Sequence, residues 1–204
     1  MKIIKSIVKL LIVTLIISCG NDDVTPPTNL QNGITVNGNF IPTSNAYLIL
    51  DRGVSPFENS FFFCLSDDKL INDSNYNILS STNTTSVAVL HVDNLGVVSN
   101  LNQVNVNATS YILEKDNTAI LENISMFSNT ITTNGITYGI IDENSANNYL
   151  ILNSGAGTFT ITAITKDFVA KTGTISCSFT ITDDNGIVIT GNYSGSFTIL
   201  NGDV

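Results

Sequence analysis

Apolar and polar residues alternate with a period of two through much of this chain, most clearly in its last third. Phe159, Ile161 and Ala163 alternate with Thr158, Thr160 and Thr162. Ile175, Cys177, Phe179 and Ile181 alternate with Thr174, Ser176, Ser178, Thr180 and Thr182. From Ile187 to Ile199 one phase is held by Ile189, Gly191, Tyr193, Gly195 and Phe197. Successive side chains of a strand point to opposite faces, so this period predicts strands with one buried face. The last phase would span roughly 43 Å at about 3.3 Å per residue, well beyond an ordinary strand. Gly191 and Gly195 lie on its apolar side. They predict a bend or bulge where the strand passes between sheets or curls round a barrel.

Shorter strand signals precede it. Ile34–Val36 and Phe40-Ile41 flank Asn37-Gly38, and Thr130–Thr132 and Ile136–Ile141 flank Asn134-Gly135. Asn-Gly between apolar runs is a hairpin signal, because both turn residues take positive φ. Ala46–Leu50, residues 76–79, residues 86–93, Tyr111–Glu114, Ala119–Leu121 and Tyr149–Leu152 are further candidates. Phe61-Phe62-Phe63-Cys64-Leu65 is apolar at every position, which predicts a central strand covered on both faces. Residues 117–126 are ambiguous between helix and strand, and no stretch shows a sustained helical period. Many short strands joined by Gly and Asn turns predict an all-β antiparallel β-sandwich, with a partly open β-barrel as the alternative.

The first residues obey a different pattern. Lys2, Lys5 and Lys9 precede the apolar run Leu10–Ile17, broken only by Thr14, and Ser18 leads into Cys19. These are the zones of a secretory signal. The run is too short to span a bilayer comfortably, which takes about 20 residues. Ile16-Ile17-Ser18-Cys19 resembles the lipobox of bacterial lipoproteins. The resemblance implies diacylation of the Cys19 thiol and cleavage just before it, so that Cys19 becomes the first residue of the mature protein. Two or more acyl chains anchor stably where one does not. Asp22 and Asp23, just beyond Gly20-Asn21, resemble the acidic tag of surface-exported lipoproteins in Bacteroidota. Outer-membrane attachment facing the periplasm is the other reading. The expected organisation is a signal helix over 1–18, lipidated Cys19 and a flexible Pro-containing tether over 19–32, and one all-β domain over 33–204.

Loss of residues 1–18 removes three bases and no acids. It leaves five bases against 17 acids, a formal charge of −12 in place of −9. Such a surface repels phosphate backbones, which excludes nucleic acid as a partner. The membrane is the expected partner, through the N-terminal lipid.

Candidate chemistry is sparse. His91 is the sole histidine, so any Ser-His-Asp site needs it, and no G-x-S-x-G elbow occurs. Asp67-Asp68, Asp142-Glu143 and Asp183-Asp184 are adjacent carboxylates at predicted turns, where Asp serves the backbone. No metal-ligand spacing and no cofactor motif is present. Cys64 and Cys177 admit two readings: a disulfide allowed by export, or two buried thiols. Trp is absent. Tyr47, Tyr76, Tyr111, Tyr138, Tyr149 and Tyr193 are therefore the stacking platforms a glycan would need.

GTFTITAI (157–164), GTISCSFTIT (173–182) and ITGNYSGSF (189–197) resemble small β-sandwich lipoprotein domains of unknown function in Bacteroidota, of flavobacterial type. That resemblance implies a fold and no activity. The expectation is a non-enzymatic structural or interaction protein of the cell envelope. A glycan- or small-ligand-binding module beside a nutrient uptake system is the alternative.

Overall fold

A computed structural model describes residues 31–51, 53, 55–73, 75, 77–113, 118–124, 127–141, 146–151, 157–183 and 185–202, without the side chains of 51 and 146–151. These residues form an eleven-stranded and a four-stranded sheet. The first hairpin is β1 (Gly33–Val36) and β2 (Asn39–Pro42), and its turn places Asn37 and Gly38 at φ 49° and 83°. Next come β3 (Asn45–Asp51), β4 (Phe57–Ser66), β5 (Leu70–Asn72), β6 (Ile78–Ser81), β7 (Ser86–Val98) and β8 (Ser110–Ile112). Within the ambiguous 117–126 stretch, β9 (Ala119–Ile124) is a strand. β10 (Phe127–Thr133) and β11 (Ile136–Ile141) form the second Asn-Gly hairpin, with Asn134 and Gly135 at φ 52° and 76°. The chain continues through β12 (Ala146–Ile151), β13 (Gly157–Asp167), β14 (Thr172–Thr182) and β15 (Val188–Gly202).

The large sheet runs β12-β9-β7-β4-β3-β15-β14-β13-β8, with β1 and β2 attached to β15. β4 and β13 are separated in that order by β3, β15 and β14. Even so, Phe63 of β4 stacks on Phe159 of β13 with centroids 5.0 Å apart. Phe61 meets Tyr111 of β8 edge-on at 5.4 Å. Such contacts require the sheet to curl onto itself. Its concave face encloses the main core, including Ile34, Leu48, Leu65, Leu90, Phe179 and Ile199. The fold is thus all-β, a sandwich closed largely by one curled sheet.

The small sheet, β10-β11-β6-β5, covers part of the convex face. There Tyr47, Ile49, Phe62 and Cys64 cluster with Leu70, while Val87, Leu121 and Ile124 meet Phe127 and Ile141. β4 therefore has apolar layers on both sides, which is why 61–65 carry no polar position.

Two expectations need correction. One ladder is parallel: Thr198–Gly202 of β15 pairs with Tyr47–Asp51 of β3, while the remaining ladders are antiparallel. β15 uses a single edge twice, first for β1 at Ile189–Asn192 and then for β3. The change of partner places the first and last strands of the domain side by side.

Secondly, of the bend or bulge expected at Gly191 and Gly195, no bulge occurs in the β14–β15 ladder, which pairs without a register shift from Thr172↔Thr198 to Thr182↔Val188, although β15 does change partner beyond Asn192 within the curled sheet. A shift occurs instead in β13, between Ile161 and Ala163. Beyond it Ala163 is exposed and Ile164 packs against the core, so the inward phase ends at Ile161.

Candidate functional site

The anchor position Cys19, together with Asp142, Glu143, Asp184 and Tyr76, lies outside the described residues. Tyr149 enters only through the backbone of β12.

Asp67, Asp68, Asp73 and Asp183 bond backbone N–H groups at bends and turns. Asp67 accepts the backbone N–H groups of Thr85 and Ser86 at 3.0 and 3.2 Å, and the Thr85 hydroxyl. Asp68 accepts the Lys69 N–H and the Ser81 hydroxyl at 2.8 and 3.0 Å. Asp183, only 6 % exposed, accepts the N–H groups of Asn185 and Ile187 at 2.9 and 2.7 Å. Asp73 does the same for Asn75 and Asn77. The Asn77 side-chain amide, with these N–H groups, holds its carboxyl below the usual carboxylate range. The Asp73 and Asp183 contacts are Asx-type turns, in which a short carboxylate substitutes for a backbone acceptor, whereas Asp67 and Asp68 tie the bend after β4 to residues 81–86. Among the described residues no three His, Cys, Asp or Glu side chains gather as a metal site.

His91 pairs across the ladder with Phe62 and stacks on its ring at 4.3 Å, nearly parallel. It belongs to the middle of β7, not to a strand end, because β7 continues to Val98. Cys64 and Cys177 are both free and buried. They lie in different apolar clusters, Cys64 on the convex side of the large sheet and Cys177 in the concave core. The sheet itself separates them. Burial pushes both thiols up to about 12.

Four tyrosines are buried: Tyr47, Tyr111, Tyr138 and Tyr193. Three of them satisfy their hydroxyls internally. Tyr47 Oη accepts the Leu70 N–H at 2.9 Å, Tyr111 Oη donates to the Asn107 carbonyl at 3.0 Å, and Tyr193 Oη donates to the Ser196 carbonyl at 2.6 Å. Burial raises the pKa of each. None of these rings offers a face to a sugar.

Two other features are built where motif reading saw nothing. The first is the outer face of β13, β14 and β15, where the polar phase of each strand aligns across the sheet. Thr158, Thr180, Thr190 and Thr35 form one transverse row over four strands. Ser110, Thr160, Ser178 and Asn192 form the next. Hydroxyls pair along the rows, Thr165 with Thr174 at 2.7 Å and Ser176 with Ser194 at 3.0 Å. The signal was present in the alternation, but which residues share a row depends on register.

The second is a cavity of about 470 Å³ between the two sheets. Ile49, Cys64, Val87 and Val89 of the large sheet form its floor. Leu70, Ile78 and Ile141 of the small sheet face them, with Ser80, Asn77 and Ile140 completing the wall. Comparison of the chain with protein-family models, curated proteins and solved structures gave no match.

Proposed function

We propose that this chain is a non-enzymatic lipoprotein of the bacterial outer membrane, carried on acyl chains at Cys19, whose β-domain serves as an interaction module. The observation that carries this reading is the order of zones ahead of Cys19: Lys2, Lys5 and Lys9, then the apolar run to Ile17, then Ser18. The composition agrees, since a mature charge of −12 suits an exported, soluble domain and not a nucleic-acid binder.

The interaction role is the reading we give the β-domain. In the β-domain Asp67, Asp68, Asp73 and Asp183 bond backbone N–H groups, His91 lies flat on Phe62, and Tyr47, Tyr111 and Tyr193 bond backbone groups. Among the described residues the hydroxyl and amide face of β13–β15 is a broad surface suited to meet a partner. Rows of short hydroxyl side chains offer hydrogen bonds at low cost in side-chain ordering. The partner is an envelope component facing that surface, protein or polysaccharide.

Two experiments test this. Growth with a radiolabelled fatty acid should label the wild-type chain, and Cys19→Ala should abolish the label; persistent labelling would refute the anchor. A photo-crosslinking residue at Ser178 should yield a discrete adduct in whole cells, where one at exposed Thr130 of the small sheet should not. No adduct from Ser178, or equal adducts from both, would remove the face from the proposal.

A further inference from the structure

We infer that the space between the two sheets is a binding site for one small, neutral, mostly apolar molecule with a single polar end. The inference is independent of the lipid anchor and of the hydroxyl face.

The two convex-side clusters fail to merge. One is built round Tyr47, Phe62, Cys64 and Leu70, and the other round Val87, Leu121 and Ile124; half-buried Val89 touches both. The cavity opens between them, at the short side chains of Val87, Val89 and Ser80. Packed sheets ordinarily leave little space between their apolar faces, and this solvent-open gap leaves apolar side chains without packing partners. At about 470 Å³ this space is about three times the ~150 Å³ apolar cavity that takes up one benzene. It also falls within the range of small-ligand pockets, roughly 300–1,000 Å³.

The lining selects the chemistry. Among the described residues no Asp, Glu, Lys, Arg or His lines it. A charged ligand would leave water and find no counter-ion there. The Cys64 thiol on the floor remains protonated, since burial pushes it up to about 12. It therefore adds a small soft surface and no charge. Ser80 and Asn77 are the polar groups of the wall. Asn77 is exposed and Ile140 is 38 % exposed, which puts the mouth on their side. The ligand's apolar body would lie on Ile49, Val87 and Val89, and its polar end would meet Asn77.

The test uses the full chain carrying Cys19→Ala, free of detergent, titrated with N-phenyl-1-naphthylamine, a neutral fluorescent aromatic amine. Saturable binding at one site is expected. Val89→Trp, which fills the floor, should weaken it at least tenfold without lowering Tm. Ile140→Asp, which sets a charge at the mouth, should also weaken it about tenfold. Bound probe should slow alkylation of Cys64 and leave Cys177 unaffected, read by peptide mass. Absence of saturable binding overturns the inference, as does unchanged affinity in the folded variants. If Val89→Trp does not fold, Ile140→Asp and Cys64 protection decide, and no effect in either overturns it.

Discussion

Phe179 covers Gly191: the two face each other across the β14–β15 ladder, and a Cβ at Gly191 would lie 2.2 Å from the Phe179 ring. Gly173 and Phe197 repeat the relationship across the same ladder, with a clash at 2.5 Å. Gly173 and Gly191 are thus seats for cross-strand rings, a pairing that fills the space a missing side chain leaves.

Gly191→Ala should therefore destabilise the domain by about 1–3 kcal/mol, the usual range for overpacking a filled core. Gly195→Ala should cost under about 1 kcal/mol, because its Cβ would come no nearer than 3.2 Å to the Tyr193 hydroxyl and 3.4 Å to its ring. Urea unfolding of both variants checks the order. Equal effects would mean the rings are not seated as described.

Curling of the large sheet makes a prediction of its own. Phe63 and Phe159 belong to strands that share no ladder, yet they stack at 5.0 Å and are 1 % and 0 % exposed. Each alanine variant should lose about 3–5 kcal/mol. The double-mutant cycle should show a coupling of about 0.5–1.5 kcal/mol. Conservative Leu variants keep the cycle measurable if Ala unfolds the chain. Strict additivity would contradict contact across the concave core.

The thiols predict a dependence on pH. Native Cys64 and Cys177 hold their protons up to about 12, whereas unfolded thiols lose them near their ordinary value of 9. Above pH 9 the unfolded state binds fewer protons, so stability is complete below about 9 and declines as pH rises toward 12. Buried Tyr47, Tyr111 and Tyr193 act in the same direction at higher pH. The urea midpoint should fall across this window, and fall less in the Cys64→Ala/Cys177→Ala variant. An identical decline in both would contradict burial of the thiols.

Local signals were legible because their causes are local. Asn37-Gly38 and Asn134-Gly135 announced their turns through φ alone, and 61–65 announced a doubly covered strand through the lack of any polar position. Partner choice was not legible. Nothing in the residues of β15 states that its edge leaves β1 and joins β3 in parallel, since that depends on segments more than a hundred residues away. The β13 bulge left one trace, the adjacent apolar pair Ala163-Ile164. The inter-sheet cavity left none, because its walls come from strands whose packing no motif encodes.

The anchor is the central claim, and the intact mass of the native protein purified from membranes tests it most directly. The account predicts a chain beginning at Cys19 with the added mass of its acyl chains, and only Cys64 and Cys177 titrating as free thiols after denaturation. A chain that begins elsewhere, carries no lipid mass and shows Cys19 as a third free thiol would contradict it.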